Sequence, residues 1–284
     1  MPCRWNSRCG WLRKSPAGWS ASMPEQRPDK RLVADSFSRA AATYDQAAAL
    51  QRAVGSNLLA RLPAEFAPTE LVDLGCGTGY FSRALQARYG QQVIGLDLAE
   101  GMLRHARQTS PLISGWVAAD AEALPLRANS QDLIFSSLAL QWCPDLARVL
   151  HEAYRVLRPG GCLAFNTLLE GSLHELRTAW RAVDDFVHVN RFMPAEELHS
   201  ILATGEFGDW RCEVEEHQLY YQRLGELTQE LKALGAHNVN PGRPGGLTGR
   251  ARLRRLTDAY EPFRTDQGLP ASWQVAQILM FKPA

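Results

Sequence analysis

The sequence is short of the features that would place a protein in a membrane, around a metal or along a nucleic acid. No apolar run approaches the roughly 18 residues that a membrane span requires. Charge is nearly balanced, with 31 Lys/Arg against 30 Asp/Glu and a net +1 at neutral pH, which argues against bulk nucleic-acid binding. The six cysteines, at positions 3, 9, 76, 143, 162 and 212, include no CxxC pair, so zinc-ligand spacing is absent and no metal is expected. Cys76, Cys143 and Cys162 lie in or beside apolar segments, as small buried hydrophobes of a protein in a reducing cytoplasm would. No fixed-period repeat is visible. What remains, 45% hydrophobic and 21% charged residues, is ordinary for a folded globular chain.

The first thirty residues differ from the rest. They carry six Lys/Arg against two Asp/Glu, with Pro, Ser and Gly scattered among them. The unbroken apolar stretch of about 7–15 residues that marks a secretory signal is missing. Residues 1–29 therefore read as a disordered basic tail, with Met23 as an alternative start. Residues 30–284 read as one domain: a core over about 68–169 with 205–222 and 270–284, and lid segments over about 171–204 and 224–262.

From Lys30 to Leu62 the Ala- and Leu-rich spacing predicts one or two helices. Beyond it, the apolar runs LVDLGC, QVIGLDL, GWVAAD, DLIFSSLALQW and GCLAFNTL read as buried strands, alternating with helical segments such as YFSRALQARYG and DLARVLHEAYRVL. Five such alternations with short connections predict a doubly wound, mostly parallel α/β sheet. WRCEVEEHQLYY and WQVAQILMF add two strands, antiparallel at the sheet edge, for seven in all. The helical patterns between them must sit above the sheet, where ligands of such folds bind, beyond the carboxyl ends of the strands.

VDLGCGTGY places Gly75, Gly77 and Gly79 between the first strand and the first core helix. Glycine permits a tight turn and close approach of a ligand. A dinucleotide fold prefers G-x-G-x-x-G; here the third glycine comes one residue early and Tyr80 stands in its place. Asp73, just before the loop, is unfavourable beside a pyrophosphate but suits a cationic ligand group. The pattern resembles the class I, Rossmann-like S-adenosylmethionine methyltransferases. Asp97, ending the second strand about 20 residues on, is placed to accept from ribose hydroxyls, with a helix N-cap as its other reading. The resemblance implies that Asp120, ending the third strand, accepts from the adenine amino group and that the Ala121 N–H reaches a ring nitrogen.

Outside that core, FSRAAATYD (37–45), LALQWC (138–143), GSLHELRTAW (171–180), NRF (190–192) and LKALGAHN (231–238) resemble the malonyl-[acyl-carrier protein] O-methyltransferases of biotin synthesis. The resemblance runs from about Lys30 to the C-terminus. It implies methyl transfer from S-adenosylmethionine to the free carboxylate of a malonyl thioester, on an acyl carrier protein or coenzyme A. A carboxylate titrating near 4 is already an anionic nucleophile at neutral pH, so no general base is expected. None of the seven histidines is expected to be catalytic. Tyr44 is the first candidate to orient the carboxylate, with Phe192 and Tyr221 as walls of the acceptor pocket. Arg177, Arg181, Arg191, Arg250 and Arg254 are candidates for docking an acidic carrier, against the blander reading of solvated helical faces. Rival readings are methylation of another small molecule, such as a quinone ring carbon, a nicotinamide oxidoreductase, or a non-catalytic sensor of S-adenosylmethionine.

Overall fold

A computed structural model describes residues 29–113, 115–236 and 249–284. The tail with its Met23, and His237 and Asn238 of LKALGAHN, lie outside these residues.

Seven strands form one sheet: β1 (Leu71–Leu74), β2 (Val93–Asp97), β3 (Gly115–Ala118), β4 (Gln131–Ser137), β5 (Leu157–Leu168), β6 (Asp209–Tyr221) and β7 (Leu269–Phe281). Their spatial order is β3-β2-β1-β4-β5-β7-β6. The first five pair in parallel, and β7 runs antiparallel between β5 and β6, as the sequence pattern predicts. The order reverses between β1 and β4, so the loops leaving these two strands flank the crevice where such sheets bind ligands.

Strand interiors read as apolar runs because both sheet faces are covered. One face packs under α6 (Leu146–Val156) and α8 (Ala195–Thr204), burying Ile134, Leu163, Phe165, Val149, Leu150, Leu198 and Leu202 together. The other carries α3 (Ala49–Arg61), α4 (Tyr80–Tyr89) and α5 (Glu100–Thr109), with Leu58, Leu85, Leu103, Leu133 and Phe135 at its centre. Each fully buried Leu or Phe contributes about 1.5–3 kcal/mol to folding. The α8 segment, assigned by sequence position to a lid, belongs to the core face, because Leu198 and Leu202, one turn apart, both point into it.

A third cluster forms above the strand ends. It joins α7 (His174–Arg181), α9 (Leu224–Ala233) and α10 (Arg250–Tyr260) with Leu168, Trp273 and Val275 of the sheet and Leu50 and Val54 of α3. The amino-terminal segment holds α1 (Lys30–Ala40) and α2 (Tyr44–Ala47) as well as α3, three helical pieces where one or two are predicted. The α1 helix rests on α5, where the Gly101 N–H donates to Ser38 Oγ at 3.1 Å. A Cβ at Gly101 would lie 2.6 Å from the Ser38 backbone. On its other side, Ser36 Oγ donates to the Gly235 carbonyl at 2.9 Å, just past α9.

The predicted fourth strand is too long. β4 stops at Ser137, and LALQW turns instead, with Leu138 at φ +49° and a 3-10 turn at Leu140–Trp142. A left-handed leucine costs about 1–2 kcal/mol. Asn166 of β5, fully buried, offsets that cost: its Oδ1 accepts from the Leu138 N–H at 2.7 Å.

Candidate active site

The glycine loop leaves β1 with all three residues left-handed: φ is +71° at Gly75, +53° at Gly77 and +80° at Gly79. Their surroundings separate their roles. A Cβ at Gly75 would stand 2.2 Å from the Ala139 Cβ, and one at Gly79 would stand 2.5 Å from the Trp116 ring. Nothing lies within 4 Å of a Cβ placed on Gly77, so only there does the loop face open space. Gly75 and Gly77 line a cavity of about 110 Å³, whereas Gly79 leaves room for the Trp116 ring of β3 and does not reach it.

Asp97 lines the same cavity. Its Oδ2 accepts from the Gly77 N–H at 2.8 Å and its Oδ1 from the Ala99 N–H at 2.7 Å. The capping and ligand readings of Asp97 are thus compatible, since an ionised carboxylate has about four acceptor positions. Burial pushes its pKa up, against the pull of those backbone donors.

Asp120 and Ala121 line the far end of the cavity. Lys30 reaches over from α1, with Nζ at 2.9 and 2.7 Å from the two Asp120 oxygens and 2.8 Å from Glu122 Oε2. Burial works to raise the Asp120 carboxyl, but the Lys30 bond and the Glu122 N–H win, and it is lowered.

Asp73 requires a correction. It lies in the middle of the LVDL strand, 2% exposed, with Oδ2 accepting from Ser82 Oγ of α4 at 2.6 Å, and it lines neither cavity described here. Burial, helped by the charge of Asp97, pushes its carboxyl up to about 7. It ties α4 to β1 beneath the loop and does not face a cationic ligand.

A second cavity, of about 530 Å³, opens under α7, α9 and α10. Phe37, Tyr44, Leu138 and Trp142 line both cavities and form the partition between them. Phe37 packs edge-on against Trp142 with ring centroids 5.4 Å apart. Burial, then the charges of Asp97 and Asp45, push the Tyr44 hydroxyl pKa well up, so it remains a hydrogen-bond donor at neutral pH. Phe192 lines the larger cavity, as expected. Tyr221 does not: at the end of β6 it is 8% exposed and packs among Leu224, Leu227 and Tyr260.

Other wall residues were not legible. Phe37 and Trp142 sit inside FSRAAATYD and LALQWC, so the motifs held the signal although the residues were not singled out. His188 also lines the larger cavity, stacked on Trp180 at 3.6 Å between centroids and bonded through Nε2 to Asp184 Oδ1 at 2.7 Å. Asp184 Oδ2 takes two bonds from Arg252 of α10, at 2.7 and 2.5 Å, joining the loop after α7 to α10.

The arginines divide. Arg177 is half-buried, donates to the Asn190 carbonyl at 3.2 Å, and has its pKa lowered by burial and by Arg181 and Arg191 nearby, so it serves the fold. Arg181, Arg191, Arg250 and Arg254 are exposed. α7 and α10, which carry three of them, pack together. Among the described residues, no group of three or more His, Cys, Asp or Glu is placed to hold a metal, and no helix is long and apolar enough to cross a membrane.

Residues 72–165 match the family model described as a methyltransferase domain. Over 82% of the chain the fold is similar to the YcgJ protein of Bacillus subtilis, covering 99% of that chain, with a TM-score of 0.56 at 18% identity. The malonyl-[acyl-carrier protein] O-methyltransferase of Hahella chejuensis is 42% identical over 250 residues, 87% of this chain and 88% of its own length. That of Methylococcus capsulatus is 46% identical over 240 residues, 82% and 86% respectively. The biotin biosynthesis bifunctional protein BioHC of Cellvibrio japonicus is 49% identical over 90% of this chain, which spans only 51% of that longer relative. The two cavities with their aromatic partition thus stand in a chain that belongs to the malonyl-[acyl-carrier protein] O-methyltransferase family.

Proposed function

We propose that the protein transfers a methyl group from S-adenosyl-L-methionine to the free carboxylate of a malonyl thioester carried by an acyl carrier protein. The observation that carries this reading is the pair of cavities meeting at Phe37, Tyr44, Leu138 and Trp142. The smaller has acids at two strand ends and an open glycine backbone; the larger has mostly apolar walls. When bound, S-adenosylmethionine supplies a methyl group activated by a positively charged sulfur.

The residues present fit that donor. In this reading Asp97 accepts from ribose hydroxyls, Asp120 from an amino group alongside its bonds from Lys30, and the Ala121 backbone donates to a ring nitrogen. The bare Gly77 backbone admits the donor's approach. The protein's task at the acceptor is geometric: hold the carboxylate in line with the methyl and keep water away. Well-oriented reactants gain on the order of 7–11 kcal/mol this way. Tyr44, uncharged and at the partition, donates to the carboxylate without the strong ground-state grip of a cation.

Tyr44→Phe is expected to lower kcat by about 10- to 100-fold, the worth of one hydrogen bond to a charged group. The dissociation constant of S-adenosylmethionine should stay within about twofold. Mass spectrometry of the methyl ester and calorimetry of the donor check the two halves. Collapse of donor binding would reassign Tyr44 to the donor site.

The exposed Arg181, Arg191, Arg250 and Arg254 support docking of an acidic carrier, where charge complementarity mainly sets encounter rate and register. Arg191→Glu with Arg254→Glu should raise KM for the carrier-bound thioester at least about tenfold more than for the coenzyme A thioester. Equal changes for both substrates would remove the docking role.

A further inference from the structure

Tyr44 opens a helix too short to place it. α2 has four residues and no side-chain cap bond, far below the roughly 12–15 at which a helix begins to hold itself in water. Among the described residues the Tyr44 hydroxyl makes no hydrogen bond, so the ring is not anchored by its own tip. Its position rests on the bonds of its two neighbours.

Asp45 ties it to the glycine loop. Asp45 Oδ1 accepts from Thr78 Oγ1 at 2.7 Å, and Thr78, 2% exposed, lies between the left-handed Gly77 and Gly79. The loop is itself held there: Arg83 donates to the Thr78 carbonyl at 3.2 Å, and the Gly77 N–H donates to Asp97 at 2.8 Å. With an ionised acceptor the Asp45 bond is about twice as strong as a neutral one. From α3, Arg52 donates to the Asp45 carbonyl at 2.6 Å. Toward the roof of the larger cavity, Thr43 Oγ1 donates to the Ala233 carbonyl at 3.0 Å, at the end of α9.

Three consecutive residues thus join the glycine loop, the partition and the roof. Asp45 lines neither cavity, so contact with donor or acceptor does not account for it. It closes the motif FSRAAATYD, and the reading above gives it no part.

We propose that Asp45 is a positioning residue for Tyr44: its bond to Thr78 fixes the tyrosine against the loop that meets the methyl donor. This deepens the functional reading above and rests on it. A reacting geometry displaced by about 1 Å loses about a hundredfold in rate, so a modest shift of Tyr44 is measurable. The test is a double-mutant cycle on the full chain with malonyl-carrier thioester and saturating donor, read as the single-turnover rate of ester formation. Asp45→Ala should slow transfer by about 10- to 30-fold in wild type, and by less than about twofold in Tyr44→Phe, where the hydroxyl to be placed is gone. Asp45→Asn, which keeps an oxygen for Thr78, should stay within about threefold of wild type. Thr78→Val, of nearly the same shape but without the hydroxyl, should match Asp45→Ala, and it carries the test if Asp45→Ala does not melt cooperatively. Calorimetry should find donor affinity kept within about threefold in each variant. Equal losses in wild type and Tyr44→Phe, Asp45→Asn as slow as Asp45→Ala, or Asp45→Ala at the wild-type rate would each overturn the assignment. So would a rate that falls only as donor binding falls. Wild type run alongside separates the two ideas: if it yields no ester, the functional reading itself fails. If ester forms and Tyr44→Phe is as fast as wild type, only the roles of Tyr44 and Asp45 fail.

Discussion

Asp97→Ala is expected to weaken S-adenosylmethionine binding by about a thousandfold, read by calorimetry. The size follows from two losses. The Gly77 and Ala99 N–H groups lose the acceptor that now stands 2.8 and 2.7 Å away, which lowers stability and frees the loop that meets the donor. The donor's ribose loses the charged acceptor of its hydroxyls, at about 1.5–3 kcal/mol for each bond, and two such bonds span a thousandfold. Released from Asp97, the Gly77 backbone no longer presents a fixed floor to the cavity. Asp97→Asn, which keeps one acceptor oxygen, should fall between the two. A variant that binds the donor as wild type does would reduce Asp97 to a turn cap.

Gly75→Val should remove more than about 99.9% of methyl transfer and lower thermal stability together. At φ +71° an L-residue costs about 1–2 kcal/mol. The new Cβ would stand 2.2 Å from that of Ala139, so the loops leaving β1 and β4 must separate, at about 1–3 kcal/mol for overpacking. That sum is a large share of the 5–15 kcal/mol that holds a domain folded. Gly77→Ala is the control, since no atom lies within 4 Å of its new methyl group. It should keep most of its stability and lose donor affinity. Wild-type melting for Gly75→Val would show that the loop yields and that the glycine is not required for packing.

The sheet was legible because its parallel strands are covered on both faces and read as plain apolar runs. LVDL and VIGLD do so, and the antiparallel β7 is buried along nearly its whole length as well. LALQW is just as apolar, and nothing local distinguishes its turn from a strand. The decision lies with Asn166, 28 residues away in sequence. Asp73 misleads for the opposite reason. An acid before a glycine loop suggests a ligand, but its place inside a strand buries it toward Ser82. Phe192 falls in a lid segment and Tyr221 at the end of a core strand, and only the packing of Leu224, Leu227 and Tyr260 around Tyr221 separates them.

The first helix has a consequence for timing. α1 bears Lys30, clasping two carboxylates at one end of the smaller cavity, and Phe37, part of the partition; it rests on α5 below and touches the end of α9 above. If the donor enters and its spent form leaves past α1, that clasp must part each time. On that route a single element would serve as both door and seal, and the pace of its unlatching would set a ceiling on turnover.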